Sequence, residues 1–201
     1  IPVTFFSFVN GKEMITLLYK SKSFDDNSVM LTLGEFRFHI AGLLFIALNR
    51  IISPAFYAQR NTKLPTTAGI ISFVANIIFA LILVKPMSGN GIALALSLAS
   101  FVNTVFLFIY MKKMETFNTK KIIKNSLIYI VKIIILSFIA AIPCYFLTPI
   151  LCSAFAGASK IVSQGIPILL NFFIFATIGV IELIITKDEI AISIIRPIKA
   201  R

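Results

Sequence analysis

The stretch Thr66-Thr-Ala-Gly-Ile-Ile-Ser-Phe-Val-Ala-Asn76-Ile-Ile-Phe-Ala-Leu-Ile-Leu-Val84 decides the fold. It contains no charged residue and is close to the length of about 20 mostly apolar residues that a helix needs to cross a bilayer. Lys63-Leu64-Pro65 opens it, with the proline near the first turn, where its missing N–H costs least. This is a transmembrane helix.

Working outward, four more windows share this character: residues of about 38–58, 91–111, 126–150 and 161–186. A sixth, Ile1 to Tyr19, is interrupted by Lys12 and Glu13 and reads as the remainder of a spanning helix or as an interfacial segment. No strand-like alternation competes. The expected fold class is all-α, a polytopic transmembrane helix bundle with five full spans plus a partial N-terminal one. Pro86-Met87-Ser88-Gly89-Asn90-Gly91 is a turn too short for a soluble domain, so the spans on either side form a hairpin. Asn118-Thr119 interrupts a basic loop before the fourth full span.

Composition agrees. Apolar residues make up 58% of the 201 and charged residues 13%, with a mean hydropathy of +0.96. A soluble domain carries about 25% charged residues. The net charge of +11 does not indicate nucleic acid, because the basic residues cluster between and after apolar runs. Cys144 and Cys152 offer neither a disulfide framework nor a metal-ligand spacing, and the apolar segment between them contains Pro149. The chain opens on Ile1-Pro2 without Met or a signal peptide and reads as a fragment of a longer protein.

Lys and Arg set the orientation. The connection after the third full span holds Lys112, Lys113, Lys120, Lys121 and Lys124 against Glu115. The tail holds Lys187, Arg196, Lys199 and Arg201, and the first connection holds Arg60 and Lys63. Opposite them, the connections contain Lys85 and Lys160, while Lys20, Lys22 and Arg37 are balanced by Asp25, Asp26 and Glu35. Every second connection is basic, which places the C-terminus in the cytoplasm.

No catalytic constellation is present. The single histidine, His39, reads as a structural residue near the outer end of the first full span. No glycine loop cradles phosphate and no paired carboxylates share a helix face, so an enzyme is not expected, nor a cofactor. Arg50 is more informative, lying within an apolar window in Leu48-Asn49-Arg50-Ile-Ile-Ser53-Pro54. A charge at that depth costs at least about 2.5–3.5 kcal/mol, so it either faces a polar cavity or snorkels to the nearby interface. Pro54 removes the bond to the Arg50 carbonyl and can kink the helix there. Lys132, about two turns into its span, reads first as a snorkelling lysine. Lys187 could neutralise Glu182. Asn76 and Asn103 lie mid-membrane, where asparagine commonly joins helices.

The run Arg50-Ile-Ile-Ser-Pro54-Ala-Phe56-Tyr57-Ala-Gln-Arg60-Asn-Thr-Lys63-Leu-Pro65 resembles the signature of the MurJ/MviN family. These are the lipid II flippases of the multidrug/oligosaccharidyl-lipid/polysaccharide exporter superfamily. Asn76, the run Gly89-Asn-Gly91-Ile-Ala-Leu-Ala-Leu-Ser97 and Asn103 continue the likeness, and Leu17-Leu-Tyr-Lys-Ser-Lys-Ser-Phe24 resembles an upstream segment without its glycine. The resemblance covers residues of about 12–112; beyond these, topology alone matches.

The resemblance implies a division at 112/113: the end of a transport core's C-terminal lobe, then two additional transmembrane helices and a cytoplasmic tail. It implies flipping of the peptidoglycan precursor lipid II across the inner membrane by alternating access, with a missing N-terminal part completing a cationic cavity. The partners would be that polyprenyl-pyrophosphate-linked glycan and the membrane lipids. Arg50, with Asn49 beside it, and Lys132 become candidate substrate-binding residues, and the last two helices would line a groove for the polyprenyl tail. Some members bind sodium at the position of Asn76, a carboxylate one turn later and a threonine in the next helix. Here Ala80 and Leu96 stand in the latter two places, which makes a metal role for Asn76 doubtful. Rival readings are a flippase for another polyprenyl-linked glycan, an antiporter of the same superfamily, and a non-transporting scaffold or truncated product.

Overall fold

The computed structural model describes residues 1–113 and 119–188. Among the described residues seven helices follow one another: α1 (Pro2–Tyr19), α2 (Asp26–Ala41), α3 (Leu43–Ala58), α4 (Lys63–Met87), α5 (Gly89–Lys113), α6 (Thr119–Ala154) and, after a π-helical turn at Ile161–Gly165, α7 (Ile166–Ile185). No strand occurs among the described residues. Five segments of the described residues are long and apolar enough to cross a bilayer: Asp26–Ala58, Lys63–Met87, Gly89–Lys113, Lys124–Ala154 and Ile161–Ile185. Lys120, Lys121, Glu115, Asn118, Arg196, Lys199 and Arg201, on which part of the charge reading rests, fall outside the described residues or side chains.

The chain packs as two units. One comprises Ile1 and Lys20–Ile130, and the other comprises Pro2–Tyr19 with the chain from Val131 on. Packing thus groups α1 with the C-terminal helices, whereas the division at 112/113 grouped it with α2 to α5.

In the first unit, Asp25 starts α2 by accepting hydrogen bonds from the Ser28 N–H at 2.9 Å and the Ser28 hydroxyl at 2.8 Å. These bonds hold its carboxyl below the usual carboxylate range. The cap explains why the helix begins well before residue 38, through a segment polar enough to mask it in sequence. Gly42 then ends α2 and starts α3. Its N–H turns to the carbonyls of His39 and Ile40, and the Phe38 carbonyl takes the Ser97 hydroxyl instead, at 2.7 Å. A Cβ at Gly42 would lie 2.8 Å from Ser97 Cα, so the close approach of α5 needs this glycine. His39 therefore sits mid-span beside this break and not near the span's outer end.

Lipid tails are as apolar as leucine, so helices in a membrane associate through close packing and hydrogen bonds rather than hydrophobic burial. The unit follows that logic. Helices α4 and α5 form an antiparallel hairpin whose turn is the single residue Ser88, at φ +50°. Pro86 and Met87 belong to α4, so the turn is tighter than the six-residue segment expected. Gly91 abuts the Leu83 carbonyl, and the Ser72 hydroxyl donates to the Ala99 carbonyl at 2.7 Å. At the far end Ile52, Phe56, Ala68, Leu107 and Met111 form a buried cluster.

In the second unit α1 is one uninterrupted helix despite Lys12 and Glu13, and Asn10, Gly11 and Ile15 are buried along it. Ala140, Ala141, Cys144 and Phe175 form the core, with Phe5, Phe6 and Val9 of α1 against it. Cys144 and Cys152 are both free thiols.

Candidate functional site

The site is built on α3, where the spacing of apolar and polar residues fixes what each face does. Ile52 and Phe56 turn into the buried cluster, with Leu48 packed against them. Arg50, Pro54 and Tyr57, spaced i, i+4 and i+7, share the opposite, exposed face. Arg50 makes no hydrogen bond or ion pair with any described residue. Its guanidinium is therefore available to an anion, and its planar fork matches phosphate oxygens.

Asn49 points the other way. Its Nδ2 donates to the Ser100 carbonyl at 3.0 Å, and its Oδ1 accepts from the Thr104 hydroxyl at 2.8 Å. Interhelical bonds of this kind contribute about 0.6 kcal/mol each, up to about 1.7. That is too little to decide the fold, but enough to set the rotation of a helix about its axis. Asn49, expected beside the substrate, is engaged by α5.

The family-motif residues divide into packing and turn roles. Phe56 is 1% exposed, and Pro65 and Gly91 are buried. Arg60 takes the left-handed conformation at φ 57° in the α3–α4 connection. Lys63 begins α4, and its carbonyl accepts from the Thr67 hydroxyl at 2.7 Å. Asn76 is half-buried on α4. Among the described residues no three His, Cys, Asp or Glu side chains gather as a metal site would require. Asn103 keeps a buried Oδ1 with no hydrogen-bond partner among the described residues.

In the second unit Lys132 Nζ lies 2.6 Å from Asp188 Oδ2. The lysine is held by a carboxylate of the same unit. Glu182 is not neutralised by Lys187: both its carboxylate oxygens are buried without a hydrogen-bond partner among the described residues, and Lys187 is exposed. Sequence reading missed a buried polar cluster here. Asn171 Nδ2 donates to Asn10 Oδ1 and to Thr148 Oγ1, each at 2.8 Å, and the Thr148 hydroxyl lies 2.7 Å from the Cys144 carbonyl. Asn10 and Asn171 are wholly buried. The available signal was a single asparagine in each of α1 and α7. An apolar cavity of about 510 Å³ lies between α1 and α6, walled by Phe5, Phe8, Phe138, Ile142 and Phe146. A smaller one, about 240 Å³, lies between α6 and α7 and includes Glu182.

The profile of the family described as "Lipid II flippase MurJ" matches residues 1–163. A relative named "Probable lipid II flippase MurJ" from Treponema pallidum is 43% identical over 99% of this chain, which covers 38% of the relative. A relative of the same name from Thermotoga maritima is 32% identical over 58% of this chain and 24% of its own length. The chain therefore spans less than half of the relatives it matches. Its fold is that of a solved structure described as "Lipid II flippase MurJ, inward closed conformation", with a TM-score of 0.70 and 24% identity over 94% of this chain and 36% of that one. With the match extending across most of its length, this polytopic helical chain belongs to the lipid II flippase MurJ family.

Proposed function

We propose that this chain is the C-terminal part of a flippase that moves lipid II across the bacterial cytoplasmic membrane by alternating access, with no covalent chemistry. The observation that carries this reading is Arg50, a guanidinium within a transmembrane segment, exposed and without a partner among the described residues. A buried or membrane-embedded charge is costly unless it meets an opposite charge. A pyrophosphate supplies that charge, and the upstream part of the protein would complete the cavity around it. The cavity between α1 and α6, with its aromatic walls, suits an apolar polyprenyl chain. The groove for that chain would then involve α1 and not the last two helices alone. The alternation of basic connections supports a cytoplasmic C-terminus.

The test is lipid II translocation by the full-length protein in proteoliposomes. Arg50→Ala should abolish translocation at unchanged membrane abundance, while Arg50→Lys keeps part of it, because lysine retains the charge but loses the bidentate fork. Full activity of Arg50→Ala would remove Arg50 from the substrate path.

A further inference from the structure

We infer that Thr104, acting through Asn49, is a positioning residue that sets the direction of Arg50. The inference rests on the substrate role proposed for Arg50. Thr104 is 4% exposed, in the middle of α5. Its hydroxyl has one proton and three oxygens within reach: Asn49 Oδ1 at 2.8 Å, the Ser100 carbonyl at 2.9 Å and the Phe45 carbonyl at 3.3 Å. Asn49 Oδ1 is the nearest of these. The Ser100 carbonyl already receives the Asn49 amide. Donation to Asn49 therefore leaves each group satisfied, and the two bonds grip both ends of one side-chain amide.

That grip matters because it acts on the residue next to Arg50. Successive helical residues are about 100° apart around the axis, so pinning Asn49 against α5 turns Arg50 away from it. Pro54, inside α3, has no N–H to offer the Arg50 carbonyl, so the turn carrying Arg50 lacks a backbone bond that an ordinary helix would have. The Arg50 guanidinium has no hydrogen bond or ion pair among the described residues to resist rotation. A weakened turn and an unpartnered guanidinium make the Asn49 clamp a local restraint on Arg50, beside the packing of Ile52 and Phe56.

A hydroxyl that merely joined two helices would affect every variant of residue 50 alike. A positioning hydroxyl matters most when residue 50 is directional. Arginine presents a planar fork, whereas lysine presents a flexible point charge that tolerates misorientation. The experiment is a double-mutant cycle on the detergent-purified full-length protein. It measures the Kd for a polyprenyl pyrophosphate, with thermal melting as a check of folding. Thr104→Val should weaken binding about tenfold with arginine at 50, the scale of coupling within one hydrogen-bond network. In the Arg50→Lys background the loss should fall below about twofold. Thr104→Ser should bind as the unaltered protein does. If Thr104→Val is too unstable to purify, Asn49→Leu replaces it in the same cycle, with the same expectation. Equal losses in both backgrounds, or no loss with arginine present, would overturn the positioning role. Unaltered binding by Arg50→Ala would instead overturn the role of Arg50 itself, so the two failures are distinguishable.

Discussion

Lys132 and Asp188 form a 2.6 Å ion pair in which the two partners are unequally buried: the lysine side chain is 31% exposed and the aspartate 3%. The pair ties α6 to the segment that leaves α7 through Lys187, whose φ is 47°. A long lysine can snorkel toward water if its partner is lost, but a short, enclosed carboxylate cannot. Lys132→Met should therefore destabilise the full-length protein more than Asp188→Asn does. The first should cost about 2–4 kcal/mol, as when an enclosed carboxylate loses one of the groups that hold it, and the second about 1 kcal/mol. The double variant should recover part of the loss. Thermal melting in detergent measures all three, and equal single-variant losses would show that burial does not control this pair.

Asn171 joins three helices through one amide group. Asn171→Leu keeps the approximate size but removes both 2.8 Å bonds, to Asn10 and to Thr148. It also leaves the Asn10 oxygen buried without that donor. A loss of about 1–3 kcal/mol is expected, with Asn10→Leu/Asn171→Leu less damaging than the sum of its parts. Denaturant titration of the purified protein checks this, and additive losses would show that the two residues are not coupled.

Two glycines make opposite forecasts. A Cβ at Gly91 would collide with the Leu83 backbone carbonyl, whereas one at Gly69 would meet nothing within 4 Å. Gly91→Ala should pry α4 from α5 and cost about 1–3 kcal/mol, the usual penalty for overpacking. Gly69→Ala should be neutral or stabilising by up to about 1 kcal/mol, because alanine restricts the unfolded backbone. Parallel melting curves decide it, and a neutral Gly91→Ala would mean the hairpin tolerates separation.

The driving force should not be sodium. Asn76 is followed one turn later by Ala80, and Leu96, 41% exposed, stands where a hydroxyl would be needed. A hard cation requires several oxygen ligands and one amide supplies too few. Translocation at fixed membrane potential should be unchanged when potassium replaces sodium. It should respond to the potential itself, which acts on any moving charge by about 2.3 kcal/mol per 100 mV. A steep, saturable sodium dependence would show that upstream residues complete a site around Asn76.

The sequence alone determined the five membrane-spanning segments and the hairpin of α4 and α5, because the uncharged run from Thr66 to Val84 has no stable place except a bilayer. It also marked Arg50, since a cation inside an apolar window is conspicuous on any insertion scale. It misplaced the start of the first full span, since Asp26, Glu35 and Arg37 lower the hydropathy of a segment that the Asp25 cap nevertheless makes helical.

What each polar side chain does was decided by tertiary structure alone. Asn49 and Arg50 are adjacent in the chain and both polar, yet one grips α5 and the other faces outward. Lys132 reads as a snorkelling residue until Asp188, fifty-six positions away, meets it. Asn10 and Asn171, separated by 161 positions, each look like a lone membrane asparagine. Hydropathy records the cost of placing a residue in lipid, which depends on that residue alone. The bond that offsets the cost depends on which helix packs beside it, and that is a property of the fold.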